Sequence, residues 1–403
     1  MNKKKSIKIP YGKNVYNKNE INAVLKTLKK TTQMGKCVNI FEDKISKLFS
    51  KRYGLMVNSG SSALILALKV MNFNRGSEII TPCLNFGTAI SSIILNNLTP
   101  ILVDVEINSL QIDVNKIEKK ISKKTKALLV PNLIGNVPDW KKLRSIANKY
   151  NLMIIEDSAD TLGSRINKKS TGYYSDISIT SFYGSHIISC AGNGGIFLTN
   201  EKKFYEKAKV LRSWGRQSTL LKDSENIYKR LGIKLKGFDY DKKFVFSEVG
   251  YNFEPSEIGA SFGLEQLKKF NLFKKIRNRN FKLHYNFFKK LDELFIVPKI
   301  YKNVSTNFLA YPIILKKNKI INRKKLQIHL EKFKIQTRPI FSGNILRHPA
   351  FSYLISNKNR LNSFTSADYI MKNGLLIGCH QGLGIDDISY VHSTILKLKK
   401  SSE

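Results

Sequence analysis

Between residues 54 and 156, short apolar runs alternate with segments of helical spacing, and this alternation constrains the fold most. Residues 54–57, 78–81, 101–105, 127–131 and 152–156 read as strands, and residues 61–71, 114–121 and 140–150 as helices among them. The run at 152–156, LMIIE, is apolar almost throughout, as a strand buried on both faces must be. Strands that alternate with helices predict a parallel, doubly wound α/β sheet. Ligands bind such sheets beyond the carboxyl ends of their strands. Residues 18–30 and 41–53 have helical spacing, and 177–180 and 196–199 add two strands. From residue 258 the texture changes to a long helical segment (258–294), a strand (308–315) and a helix (323–333). This predicts a large domain at 1–257 and a smaller α+β domain at 258–403. A polar, lysine-rich excursion at 217–246 interrupts the first.

Composition removes several function classes. Cys37, Cys83, Cys190 and Cys379 have neither CxxC nor CxH spacing, which argues against structural zinc and a disulfide framework. A reduced, cytoplasmic compartment follows. The 69 Lys and Arg against 30 Asp and Glu give a charge of +39. The excess is spread in pairs such as Lys119-Lys120 and Lys399-Lys400, without a nucleic-acid-binding motif, so solvated faces are expected and no nucleic-acid partner. The basic start MNKKKSIKIP lacks the apolar core of a signal peptide. No apolar run approaches the ~18 residues of a membrane span.

Polar residues stand at four strand ends. Asn58-Ser59-Gly60-Ser61-Ser62 precedes a helix, so its N–H groups and hydroxyls suit either an anion such as phosphate or a plain N-cap. Phe86, in Asn85-Phe86-Gly87-Thr88, suits either a core or a stack on a flat ring. Asp157 ends the apolar strand, with Asp160 three residues on; a carboxylate there needs a cation or hydrogen-bond donors. A protonated pyridine nitrogen is one such cation. Ser181 and His186 follow the fourth strand in SFYGSHIISCAGNGG.

The segments VNSGSSALILAL, ILVDVEINSLQID, IIEDSADTLGS, SFYGSHI and GYNFEPSEIGASFGLEQL, taken in this order, resemble the DegT/DnrJ/EryC1/StrS sugar aminotransferases nearly end to end. The resemblance implies a fold-type I pyridoxal-phosphate enzyme with a mostly parallel sheet between helices. It implies phosphate binding by Gly60, Ser61, Ser62 and Ser181, and a stack on Phe86. Asp157 would face the ring nitrogen, and Asp160 would lie near the ring hydroxyl. Asn252 would reach the cofactor phosphate of a second subunit in a homodimer, and Arg338 and Arg347 would hold substrate. In that family a lysine after the SFxxx element carries the Schiff base; here His186 stands there, between Ser185 and Ile187. Imidazole has no primary amine, yet it is a good acid–base near neutrality. The histidine resembles the branch of 3-dehydratases acting on nucleotide-linked 4-keto-6-deoxyhexoses, with pyridoxamine phosphate held non-covalently. It implies water loss in deoxysugar and surface-polysaccharide synthesis, with an amino donor such as glutamate renewing the cofactor. The CDP-sugar members carry iron–sulfur cysteines after a WGR element. Gln217-Ser218-Thr219-Leu220 follow it here, so no iron–sulfur cluster or other metal is expected. The other readings are a nucleotide-sugar aminotransferase and a non-catalytic family member.

Overall fold

The computed structural model describes residues 8–221, 225–318, 320–355 and 361–401. The first seven residues of the basic start therefore lie outside the described residues, as do 222–224 of the excursion.

The central sheet is built from β1 (Tyr53–Val57), β2 (Glu78–Pro82), β3 (Thr99–Val103), β4 (Thr125–Pro131) and β5 (Met153–Asp157). After a short pair, β6 (Arg165–Ile166) and β7 (Lys169–Ser170), it continues with β8 (Ile177–Ser181) and β9 (Gly195–Thr199). The order of its seven strands is β1-β9-β8-β5-β4-β2-β3. The β2–β3, β2–β4, β4–β5 and β5–β8 pairs are parallel. β9 runs antiparallel to both β1 and β8, so six strands share one direction and one opposes it.

Successive side chains of each strand leave on opposite faces, and both faces are covered. Leu55, Val57, Ile79, Ala127, Leu129, Ile155 and Phe197 pack with residues of α3 (Gly60–Val70), α4 (Gly87–Leu95) and α6 (Lys202–Arg212). Their neighbours Ile80, Leu128, Val130 and Ile154 pack on the other side with Trp140, Leu143 and Ile146 of α5 (Trp140–Lys149). Met56, Ile196 and Leu198 meet α2 (Lys36–Leu48) and α8 (Glu257–Lys268) on that same side. Before these comes α1 (Lys18–Leu28), capped by Asn17 and Glu20.

The segment expected as one long helix from 258 is two, α8 and α9 (Phe270–Lys289), separated at Lys269. α8 packs on α1 and α2, and Gly263 lies so close to Cys190 that an added Cβ would stand 2.6 Å from its sulfur. α9 ends in the second core, with Phe281 and Phe288 among Tyr311, Leu326 and Ile377. That core is built on β12 (Phe295–Ile296), β14 (Ala310–Leu315) and β15 (Gly374–Gly378), antiparallel in the order β12-β14-β15. α10 (Arg323–Lys332), α11 (Thr365–Asn373) and α12 (Ile385–Lys400) accompany it. Ile9 is buried in the same core and bridges Ile335. β13 (Val304–Ser305) pairs with β6 across the two halves. Packing thus crosses a division at 257/258 in both directions.

Residues 114–121 form two 3-10 turns, Val114–Lys116 and Glu118–Lys120, instead of an α-helix. The excursion holds a turn of helix, α7 (Ile227–Arg230), and a hairpin of β10 (Ile233–Leu235) with β11 (Phe238–Tyr240).

Candidate active site

The carboxyl ends of β1, β2, β4, β5 and β8 open into one cleft of about 680 Å³, closed on its far side by Leu309, Arg338, Phe341 and Leu376 of the second half. Gly60, Ser61, Phe86, Asp157, Asp160, Ser181 and His186 all line it.

Ser59 caps α3, its hydroxyl accepting from the Ser62 N–H at 3.1 Å. The Gly60 and Ser61 N–H groups are first-turn donors, which a helix leaves without internal acceptors. Here they border the cleft together with the Ser61 and Ser181 side chains. An added Cβ on Gly60 would stand 2.7 Å from the Ser181 Cβ. Gly60→Ala is therefore expected to push α3 and β8 apart and to weaken cofactor retention at least tenfold, with a fluorescence titration as the check. Retention equal to the parent's would contradict this close approach as a requirement.

Ser62 does not reach the cleft. It is buried, and its hydroxyl donates to the Asn58 Oδ1 at 2.6 Å, inside the cap of the helix. Phe86 is 57% exposed, edge-on to Phe341 at 6.3 Å, so it is a cleft residue and not a core one.

Asp157 and Asp160 are buried. Asp157 accepts from the Ala159 N–H at 3.0 Å and Asp160 from the Ile134 N–H at 2.8 Å. Burial pushes Asp157 up to about 6, the Ala159 N–H opposing and the Glu156 charge adding to the rise. Burial likewise pushes Asp160 up to about 7, against the Ile134 N–H and with the Asp157 charge. Glu156 points to the opposite face of the sheet, where Asn132, Ser158, Ser175 and Ser178 donate to it. Asp157 has no such set of donors. A buried carboxylate of this kind is relieved by a cation brought in by a ligand.

The His186 ring is half-buried, with Nδ1 3.4 Å from the Ser181 carbonyl oxygen. That oxygen can only accept, so Nδ1 carries the hydrogen and Nε2 keeps its lone pair. Burial, with Arg277 adding and the Ser181 contact opposing, pushes the ring down to about 4, so it is neutral at pH 7. No lysine stands among the described residues that line the cleft.

Of the two arginines expected at substrate, the structure brings in Arg338 alone. Its Nη1 donates to the Thr337 carbonyl at 2.8 Å, and its guanidinium lies 5.8 Å from the Tyr11 ring. Arg347 is turned away, paired with Asp368 through Nε at 3.0 Å and Nη2 at 2.5 Å. Asn252 is exposed outside this cleft, its carbonyl 3.4 Å from the Asn58 Nδ2. Tyr11 and His348 line the cleft without any local signal in the sequence. His348 Nε2 donates to the Ser342 carbonyl at 2.7 Å. His380 instead holds the Pro10 carbonyl, and His284 and His392 contact each other at 3.1 Å. Among the described residues no group of three or more His, Cys, Asp or Glu side chains could hold a metal ion.

Phosphate donors at one end, an exposed aromatic face and a buried carboxylate awaiting a cation fit pyridoxal or pyridoxamine phosphate. Gly60, Ser61 and Ser181 would hold the phosphate, Phe86 the ring and Asp157 its nitrogen.

The model of the DegT/DnrJ/EryC1/StrS aminotransferase family matches residues 14–396. The lipopolysaccharide biosynthesis protein RfbH of Salmonella typhimurium is 32% identical over 89% of this chain and 84% of its own. The GDP-perosamine synthase of Escherichia coli O157:H7 is 30% identical over 76% of this chain and 77% of its own. A crystal structure of GDP-4-keto-6-deoxymannose-3-dehydratase, with a trapped PLP-glutamate geminal diamine, superposes with a TM-score of 0.85. It is 27% identical and covers 96% of this chain and 99% of that one. No helix among the described residues is long and apolar enough to cross a membrane.

Proposed function

The chain belongs to the DegT/DnrJ/EryC1/StrS aminotransferase family, and from that premise we propose that it is a 3-dehydratase of a nucleotide-linked 4-keto-6-deoxyhexose. One observation carries the reading: a neutral imidazole, His186, shares a cleft with Asp157 and Ser181, and no lysine lines that cleft among the described residues.

Pyridoxamine phosphate, when bound, supplies an amine for the keto group and a ring that accepts electrons. The chain's own residues do the rest. Asp157 keeps the ring nitrogen protonated. Nε2 of His186, the free lone pair, would take a proton from the amine-bearing carbon of the cofactor. The C3 hydroxyl, next to the keto carbon, would depart as water with its proton from the imidazolium, and the two electrons given up as the cofactor's amine becomes an aldehyde would stay in the sugar, which is then short of one oxygen. Arg338 holds an anionic part of the substrate.

The relative trapped with glutamate favours an amino donor of that class for renewing the cofactor. The dispersed, free cysteines favour a cycle without an iron–sulfur cluster, in a reducing compartment such as the cytoplasm. Exposed Asn252 favours a homodimer in which it serves a second subunit's site. Iron and acid-labile sulfide assays, and sedimentation of Asn252→Ala with its cofactor retention, check these points. Stoichiometric iron, or an active monomer, would refute them.

Amino transfer to a nucleotide sugar is the second reading; the family description and the perosamine synthase relative favour it. Incubating the protein with nucleotide-linked 4-keto-6-deoxyhexoses, pyridoxamine phosphate and glutamate separates the two. Loss of the mass of one oxygen, the balance of eliminating water while the cofactor amine is oxidised, supports the dehydratase. An amino sugar that keeps all its oxygens except the keto oxygen contradicts it, and an unchanged sugar points to a non-catalytic member.

A further inference from the structure

Arg277, on α9, is fully buried, and its four hydrogen bonds all go to uncharged oxygens. Nε donates to the Gln381 Oε1 at 2.6 Å, and Nη1 to the carbonyls of Phe308 and Leu309, both at 3.0 Å. Nη2 donates to the carbonyl of His186 itself, at 3.3 Å. Burying a guanidinium among neutral dipoles is costly, and packing alone would be served as well by an apolar side chain.

The other ends of these contacts lead back to the cleft. Leu309 lines it and donates through its N–H to the Ile134 carbonyl at 3.0 Å. Ile134 in turn donates to the Asp160 carboxylate at 2.8 Å. One planar fork therefore ties the peptide of His186 to the Phe308–Leu309 backbone, which is joined through Ile134 to the Asp160 carboxylate. A planar, multidentate donor fixes such a geometry where an ammonium would not.

We propose that Arg277 is the positioning residue of His186, clamping its carbonyl to the Phe308–Leu309 backbone so that the ring is held on the Ser181 side of the cleft. This rests on the reading of His186 as the acid–base group. The fixed charge also opposes protonation of the ring, in the same direction as burial. The other titratable groups around this end of the cleft are Tyr183 on the same loop, Asp157 at the end of β5 and Asp160 after it, Tyr11 from the N-terminal segment, and Cys379 and His380 after β15.

Arg277→Lys keeps a charge in the pocket and removes the fork. It is expected to lower kcat about 10- to 100-fold, the scale of a small misplacement of a reacting group, with KM and cofactor affinity within about threefold of the parent. His186→Asn/Arg277→Lys is expected to be no slower than His186→Asn, because the arginine acts only through the histidine. A folded Arg277→Lys with parental kcat, or losses that multiply in the double variant, would overturn the proposal. If His186→Asn alone keeps the parental rate, it is the acid–base reading that fails. A measurement on the parent stands whatever the variants' folding: ¹⁵N imidazole spectra of the cofactor-free protein. They are expected to show His186 as the neutral Nδ1–H form down to about pH 5. A ring that titrates near its ordinary value, with its tautomers mixed, would mean that it is not held.

Discussion

His186→Asn is expected to bind cofactor and substrate as the parent does and to eliminate water about 10²–10⁴-fold more slowly, the usual loss when a general acid–base is removed. Asparagine is close in size and can still donate to the Ser181 carbonyl that His186 Nδ1 faces at 3.4 Å. What disappears is the lone pair on Nε2. The loss should fall on kcat, since the group acts on the proton in flight and not on ground-state binding. Single-turnover kinetics with pyridoxamine phosphate loaded beforehand checks this. A rate within threefold of the parent would remove His186 from the mechanism. His186→Lys places a primary amine at the same point and should attach pyridoxal phosphate covalently, in a form that borohydride reduces.

Asp157→Asn is the second large effect. In the cofactor-free protein the carboxyl is pushed up to about 6, mainly by burial. A protonated ring nitrogen beside it favours the carboxylate and reverses that shift. The sign of the pH dependence follows. Above about 6 the carboxylate is available to the cation; as pH falls through that value it takes up its own proton and cofactor retention weakens. Asn carries no charge at any pH, so the variant should lose this acid limb together with on the order of 10²–10³ in rate, the scale of one preorganised electrostatic contact. Its fold should hold, because the Ala159 N–H can still find an oxygen acceptor. Titrating retained cofactor against pH in both proteins is the check. An acid limb that persists in Asp157→Asn would place the titrating group elsewhere, with Asp160 the first candidate, since it too is raised, to about 7.

The floor of the cleft is legible in the sequence because its residues interrupt a pattern. Asp157 ends an apolar run, and glycine with serines ends another, where a buried strand has no packing reason for them. Direction is not legible in the same way. IFLT of β9 is apolar whichever way it runs, and only the structure shows it antiparallel between β1 and β8. Helix phase separates Ser61 from Ser62: a single residue step, less than a third of a turn, puts the first on the cleft and the second inside the cap. Arg347 looks as available as Arg338 until Asp368, on another helix, is found holding it. Tyr11 and Arg277 come to the site through tertiary contacts alone. In a stretch as basic as KKIRNRNFK, nothing local marks the one arginine that is fully buried.

On the proposed function, this cleft removes water with the imidazole of His186 and without a lysine among its described lining residues. The most direct test is the mass of the nucleotide sugar after one turnover on pyridoxamine-phosphate-loaded protein, for the parent beside His186→Lys. The expected result is a sugar short of one oxygen from the parent and none from the lysine variant. An amino sugar that keeps all its hydroxyls from the parent, or equal oxygen loss with both proteins, would contradict it.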